Sequence, residues 1–263
     1  MVESLLELSR YPLTSPGSPT LSSVIERARA DLRVRGAAEL PGFLSAAGLE
    51  RCLADAQALA SRAFWSRGRG TAYLEAPGES WPASHPRAVR SPYSVGVVAY
   101  DQFPVESPIR ALYEWPGLRQ FVAAILSLEV VHHYADPLGA LNLAVMGDGD
   151  SLQWHFDQTD FVVSLALEPA ARGGDFEVAP NIRTSADEHY DAVHEVLCGD
   201  RGRVLRLAMT PGTLLVFAGR HSLHRVSPIE GPRQRLVALL GYDTRAGVRS
   251  TPQLQMSRYG RTL

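Results

Sequence analysis

The sequence predicts an α+β chain that is mainly β, a jelly-roll or cupin-like core with N-terminal helices packed on it. Three observations lead there. Up to Leu128 the apolar residues recur with a helical period; beyond it they fall in short runs broken by turn residues. The runs come at fairly even spacing, as in sandwiches and jelly rolls. No Gly/Ser/Pro-rich linker separates the two halves, so 1–263 is expected to be one domain: an α-rich N-terminal half over 1–128, a β core over 129–245 and a C-terminal tail over 246–263.

The elements follow in order. Residues 10–20 are rich in Pro, Ser and Thr and predict an irregular lead-in. Ser23-Val24-Ile25-Glu26 has the form of a capping box, opening a helix that ends before Gly36. A short strand over 37–44 and a helix over 45–64 follow, with Leu49, Leu53, Ala56, Leu59 and Ala63 on one face. The Gly, Pro and Ser content of 66–90 predicts a long loop able to cover a site. Ser107-Pro108 starts another helix, which Pro116 interrupts and restarts. Strands are then expected over 130–134, 140–146, 153–167, 175–178, 204–207, 213–217, 223–227 and 235–242, with a helix over 185–197.

Composition narrows the chemistry. The formal net charge of −2 points to neither nucleic acid nor an acidic membrane as partner. No apolar stretch is long enough to span a bilayer, and Met1–Ser4 lacks the basic start of a signal peptide. Cys52 and Cys198 are isolated, expected as buried thiols in a reducing cytoplasm. All 26 basic residues are arginine, so lysine Schiff-base and general-base mechanisms are excluded. Any anionic ligand must be held by arginine, hydroxyls or backbone amides.

The central motif is Trp154-His155-Phe156-Asp157. On a strand, residues two apart share a face, so His155 and Asp157 present an imidazole and a carboxylate side by side. A second histidine would complete a two-histidine, one-carboxylate set that leaves positions open on a non-haem iron(II) ion. His221 and His224 are the candidates; His224 is favoured, inside a β-like run, whereas His221 follows Gly219-Arg220 in a turn. The metal ligands are therefore expected to be His155, Asp157 and His224. His132 and His133 are read as structural. Asn142, on the strand before the metal strand, offers an amide to an oxoacid or substrate. Trp154 alternates away into the core. For a co-substrate carboxylate, Arg235 is favoured over Arg233 because it leads directly into the apolar run 236–240. Gly173-Gly174 is expected to turn with positive φ.

His155-x-Asp157, His224 and Arg235, in this order, resemble the iron(II)/2-oxoglutarate-dependent dioxygenase superfamily. The stretches Ala135–Asn142, Trp154–Asp157, Gly173–Glu177 with Pro180–Arg183, and Ser222–Val226 are similar to its branch of free-amino-acid radical halogenases and their hydroxylase relatives. The resemblance covers roughly residues 93 to 245. It implies a double-stranded β-helix with Fe(II) at its mouth, and 2-oxoglutarate and O2 as co-substrates. It implies decarboxylation to succinate and hydrogen abstraction by a ferryl oxidant. Halogenases of this kind carry Gly or Ala where Asp157 stands, so hydroxylation is expected and halogenation is not.

The expected substrate is a small metabolite, a free L-amino acid first. Arg183 or Arg220 is available for its carboxylate, and Asp160 or Glu177 for its amine. The same chemistry on a carrier-bound or peptidyl substrate is the alternative, and a non-catalytic, metal-binding cupin-like sensor is a third reading. Desaturation, epimerisation and cyclisation share the same oxidant. The protein is expected to act as a monomer or homodimer.

Overall fold

The computed structural model describes residues 1–74 and 81–263. In chain order it comprises α1 Pro19–Arg35, β1 Ala37–Leu40, α2 Ala46–Leu59, β2 Phe64–Thr71, β3 Arg90–Val98, α3 Pro108–Glu114, α4 Pro116–Ile125, β4 His132–His133, β5 Leu141–Met146 and β6 Leu152–His155. Then come β7 Val162–Glu168, β8 Arg172–Gly173, β9 Phe176–Ala179, α5 Tyr190–Leu197, β10 Leu205–Leu207, β11 Leu214–Phe217, β12 Leu223–Val226, β13 Ile229–Glu230, β14 Arg235–Leu240, β15 Tyr242–Asp243 and α6 Pro252–Tyr259.

Two antiparallel sheets face each other. The larger runs β1-β11-β7-β14-β5-β3-β2 and the smaller β10-β9-β12-β6. This is the expected jelly roll. Period-two alternation splits the large sheet's side chains into two cores. Leu143, Val145, Leu165, Leu214, Val216, Leu236 and Ala238 face outward and pack under the helices with Leu112, Leu118 and Val122. Met146, Ala166, Leu215 and Phe217 face inward, against Phe176, Val178 and Val226 of the small sheet. Truncating a wholly buried leucine such as Leu165 to Ala would cost about 2–5 kcal/mol. The same alternation turns Arg235, in register with Met146, toward the lumen.

Several boundaries differ from expectation. Helix α1 starts at Pro19, because Ser18 Oγ accepts the Leu21 N–H and Pro19 fits the first turn; the Ser23 box is not used. Helix α2 stops at Leu59 and tightens into a single 3-10 turn. The run 153–167 breaks into β6 and β7. Helix α5 begins at Tyr190, since Thr184 Oγ1 accepts the Ala186 and Asp187 N–H groups and holds that segment in a turn. The expected loop 66–90 is largely a hairpin: β2 pairs with β3 from Phe64↔Val97 to Thr71↔Arg90. Its residues 75–80 lie outside the described ones. The large sheet draws β1, β2 and β3 from the half expected to be α-rich. The C-terminal tail contains α6, capped by Thr251 and closed by Gly260 at φ 66. Cys52 is buried as expected, but Cys198, just past α5, is exposed. Among the described residues, no helix is long and apolar enough to cross a membrane.

Candidate metal centre

His155 ends β6 and His224 sits near the start of β12, and the two are direct partners in the antiparallel register. Their rings lie 4.2 Å apart on the lumen side. Trp154, alternating away, packs in a separate outer cluster with Phe156. Asp157 is already off the strand. Its N–H donates to the Gly219 carbonyl at 3.0 Å, and the Phe156 N–H to the Ala72 carbonyl at 2.8 Å. These two bonds bend the chain so that the carboxylate meets both histidines: Oδ1 is 3.9 Å from His155 Nε2 and Oδ2 is 3.2 Å from His224 Nε2. One ligand atom from each of the three residues lies within 4.8 Å of the others.

The hydrogen bonds fix which atoms are available. His155 Nδ1 lies 2.8 Å from the Gln153 carbonyl, and His224 Nδ1 lies 2.9 Å from the Ser222 carbonyl. A carbonyl only accepts, so each Nδ1 carries the proton and each neutral ring offers an Nε2 lone pair. Asp157 Oδ2 is buried and, despite its closeness to His224, accepts no well-directed hydrogen bond from any described residue. Two lone-pair nitrogens and an orphaned carboxylate oxygen aimed at one another fit a divalent cation.

The electrostatics reflect how closely the three groups sit. Burial, then the neighbouring His224, push the pKa of His155 down to about 4. Burial alone would raise the Asp157 carboxyl, but His224 and His155 outweigh it and hold it at about 2. Burial opposes charge on His224, yet Asp157 wins and raises its pKa.

Arg235 is 7% exposed and lines a cavity of about 70 Å3 with Ala166, Gly174, Phe176, Met209 and Val237. It makes no hydrogen bond or ion pair with any described residue. Burial pushes its pKa down to about 10, with Asp175 the one offset. Phe176 joins this cavity to the three-residue cluster, its ring 5.6 Å from that of His224. Gly173 and Gly174 turn at φ 65 and 66, and the second lets Arg235 pass, since a Cβ there would sit 3.2 Å from Arg235 Cδ. Arg233 instead spends its donors on the Pro169 and Ala170 carbonyls outside.

Other expected contacts are already committed. Asn142 shares the lumen face, but its Nδ2 donates to the Leu138 and Leu141 carbonyls and its Oδ1 accepts from Tyr259, so the amide is structural. Arg220 and Asp160, expected to hold opposite ends of a substrate, pair with each other through Nε and Oδ1. They line a polar cavity of about 310 Å3 with Asp243 and Arg245. Arg183 stacks 3.8 Å over Phe156 and donates to Glu188 and to the Arg220 carbonyl. Glu177 points outward and pairs with Arg225. His221 lies in the turn, and its Nδ1 is buried with no hydrogen-bond partner among the described residues. His133 is structural, 3.1 Å from the Tyr113 carbonyl. Sequence reasoning misses one group: Arg258 on α6, whose charge is felt at both His155 and Asp157. The Thr251-Pro252 start and Gly260 stop are the signals for its helix.

A family model described as Halogenase D matches residues 74–257, more than half of the chain. The chain belongs to the Halogenase D family. No curated protein matches it. Among solved structures, the carbocyclase SnoK from nogalamycin biosynthesis is similar with a TM-score of 0.61 at 14% identity, over 90% of this chain and 92% of that one. AviO1 from Streptomyces viridochromogenes Tue57 is similar at 0.59 and 17% identity, over 86% and 97%. A 2OG-Fe(II) oxygenase family protein from Burkholderia pseudomallei is similar at 0.55 and 17%, over 89% and 94%. At such identities the likeness is one of fold. This Halogenase D chain therefore has the fold of the iron(II)/2-oxoglutarate oxygenases.

Proposed function

We propose that this protein is an iron(II)- and 2-oxoglutarate-dependent hydroxylase of a small metabolite, a free L-amino acid. The observation that carries the reading is Arg235. A buried guanidinium without an acceptor is costly, and the cost is relieved when an anion enters its cavity. That cavity shares Phe176 with a two-histidine, one-carboxylate cluster. A dicarboxylate with one end on Arg235 and its oxoacid end at the cluster satisfies both.

When bound, iron with 2-oxoglutarate and O2 supplies the oxidising power for C–H hydroxylation, with succinate and CO2 as co-products. The protein's own role is to hold and orient. His155 and His224 present Nε2 because their Nδ1 protons are tied to backbone carbonyls. Asp157 supplies the charged oxygen. Arg235 anchors the distal carboxylate by its planar fork. Phe176 and Phe217 wall His224 from water. Asp157 also supports hydroxylation over halogenation, because the carboxylate takes the position that radical halogenases with Gly or Ala there leave open.

The test is a mass-spectrometric screen of free amino acids, beside their carrier-thioester and peptide forms, with Fe(II), 2-oxoglutarate and ascorbate in chloride buffer. The expected product carries one added oxygen and forms with succinate. Chlorinated product, or turnover of tethered forms alone, would overturn the corresponding element of the proposal.

A further inference from the structure

We infer that Arg258 of α6 recognises the carboxylate of the substrate. The inference rests on the amino-acid reading above. Helix α6 is fastened over β2 and β3 at several points. The Tyr259 hydroxyl donates to Asn142 Oδ1 at 2.9 Å, and Gln255 Nε2 donates to Asp136 Oδ1 at 2.8 Å. The Tyr259 ring packs with Val97, Ala99 and Leu138. Asn142 is in register with Leu239, on the lumen face of β14 that also carries Arg235. Gly260 closes the helix against the Phe64 ring, where a Cβ would overlap it. The helix is thus held over β2 and β3, with Tyr259 reaching the lumen face at Asn142.

Arg258 is half-buried on this helix and makes no hydrogen bond or ion pair with any described residue. Its charge reaches both His155 and Asp157. The two arginines expected to serve a substrate carboxylate are spoken for: Arg183 by Glu188 and Arg220 by Asp160. Arg235 lies four residues deeper along its strand than Leu239, in its own cavity. A guanidinium with open donors beside a metal cluster suits a bidentate carboxylate. Its attraction strengthens once the bound substrate excludes water. An amino acid held there by its carboxylate is an anion-anchored ligand distinct from the oxoacid on Arg235.

The test uses full-length protein loaded with Co(II) and 2-oxoglutarate, which binds without turning over. Wild type, R258Q and R258K are titrated calorimetrically with the common L-amino acids and with their carboxamides. Wild type should bind at least one acid about 30-fold tighter than its amide. R258Q should weaken that acid about 30-fold, to the level of the amide, and leave the amide unchanged; R258K should recover some of the difference. Affinities for Co(II) and 2-oxoglutarate should stay within about twofold, as a residue that holds neither requires. Unchanged preference for the acid in R258Q, or a parallel loss of oxoacid binding, overturns the inference alone. A wild type that takes up Co(II) and 2-oxoglutarate but none of the amino acids overturns the amino-acid reading and the inference with it.

Discussion

Gly219 and Asp157 are fitted to each other. The Gly219 carbonyl accepts the Asp157 N–H at 3.0 Å, and a Cβ built on Gly219 would overlap Asp157 Oδ2 and lie 2.9 Å from the Asp157 Cβ. The glycine is not in the left-handed region, so its lack of a side chain serves space and not backbone freedom. The carboxylate needs that space to face two histidines from a position beyond the end of its strand.

Gly219→Ala is therefore expected to displace the Asp157 carboxylate and weaken Co(II) or Fe(II) binding by about 10- to 100-fold, as for other groups that orient a ligand. The fold should survive, because alanine suits the backbone. Calorimetric metal titration beside thermal melting checks this. In an Asp157→Gly background the three atoms nearest the added methyl are relieved, so Gly219→Ala should cost little more; a full additive loss would mean that the overlap is not the cause.

Arg235→Ala should raise the 2-oxoglutarate requirement by roughly 30- to 150-fold, the equivalent of about 2–3 kcal/mol for charge-assisted hydrogen bonds. Arg233→Ala should change it by less than about threefold, since among the described residues Arg233 donates to two backbone carbonyls away from the cavity. Without oxoacid, Arg235→Met should be at least as stable to urea as wild type, because it removes a buried cation that has no acceptor among the described residues. Equal kinetic effects of the two alanine variants would move the anchor elsewhere.

The features of this molecule that are legible in its sequence share a cause. Runs such as 141–146, 214–217 and 235–240 are buried strands and declare themselves by β-branched and leucine content. His155 and His224 can be matched because the strands carrying them are adjacent and antiparallel. The hairpin of β2 and β3 is hidden because Arg67-Gly68-Arg69-Gly70 has no apolar alternation; its backbone pairing holds it. Asp160 and Arg220 look free in the sequence because nothing local announces a partner sixty residues away. Helix α6 carries two glutamines and an arginine on a short, polar sequence, and it owes its place to tertiary bonds from Gln255 and Tyr259.

The two thiols should differ in reactivity. Burial, with Asp55 adding to it, pushes Cys52 up to about 12, so at pH 8 only about one molecule in ten thousand carries the thiolate. Cys198 is exposed. Ellman's reagent should titrate one thiol quickly in the native protein and the second only after denaturation. Cys198→Ser should abolish the fast phase; its persistence would show that Cys52 is reached by local opening.

Asp136 holds α6, and with it Arg258, in place. It is fully buried, and its carboxylate accepts from the Leu138 N–H at 2.9 Å, Gln255 Nε2 at 2.8 Å and the Ser250 N–H at 3.0 Å. It thus ties the start of β5 to the C-terminal segment. Burial favours the neutral acid, but the bonds from Ser250, Leu138 and Gln255 outweigh it, and the pKa is lowered. A depressed carboxyl pKa contributes stability that is present above the unfolded value, about 3.9, and is lost as pH falls through the folded value. Asp136→Asn removes the charge and leaves an NH2 facing donors. It should cost about 3 kcal/mol at pH 7, or roughly 6–12 °C in melting temperature for a chain of this size. The gap between wild type and variant should narrow as pH falls below about 4, where the unfolded chain takes up the proton first and the folded carboxylate follows at its lowered value. Proteolysis of the variant should begin within 246–263, the segment that Asp136 fastens. A gap that stays constant from about pH 7 to about pH 3 would show that Asp136 acts by shape and not by charge.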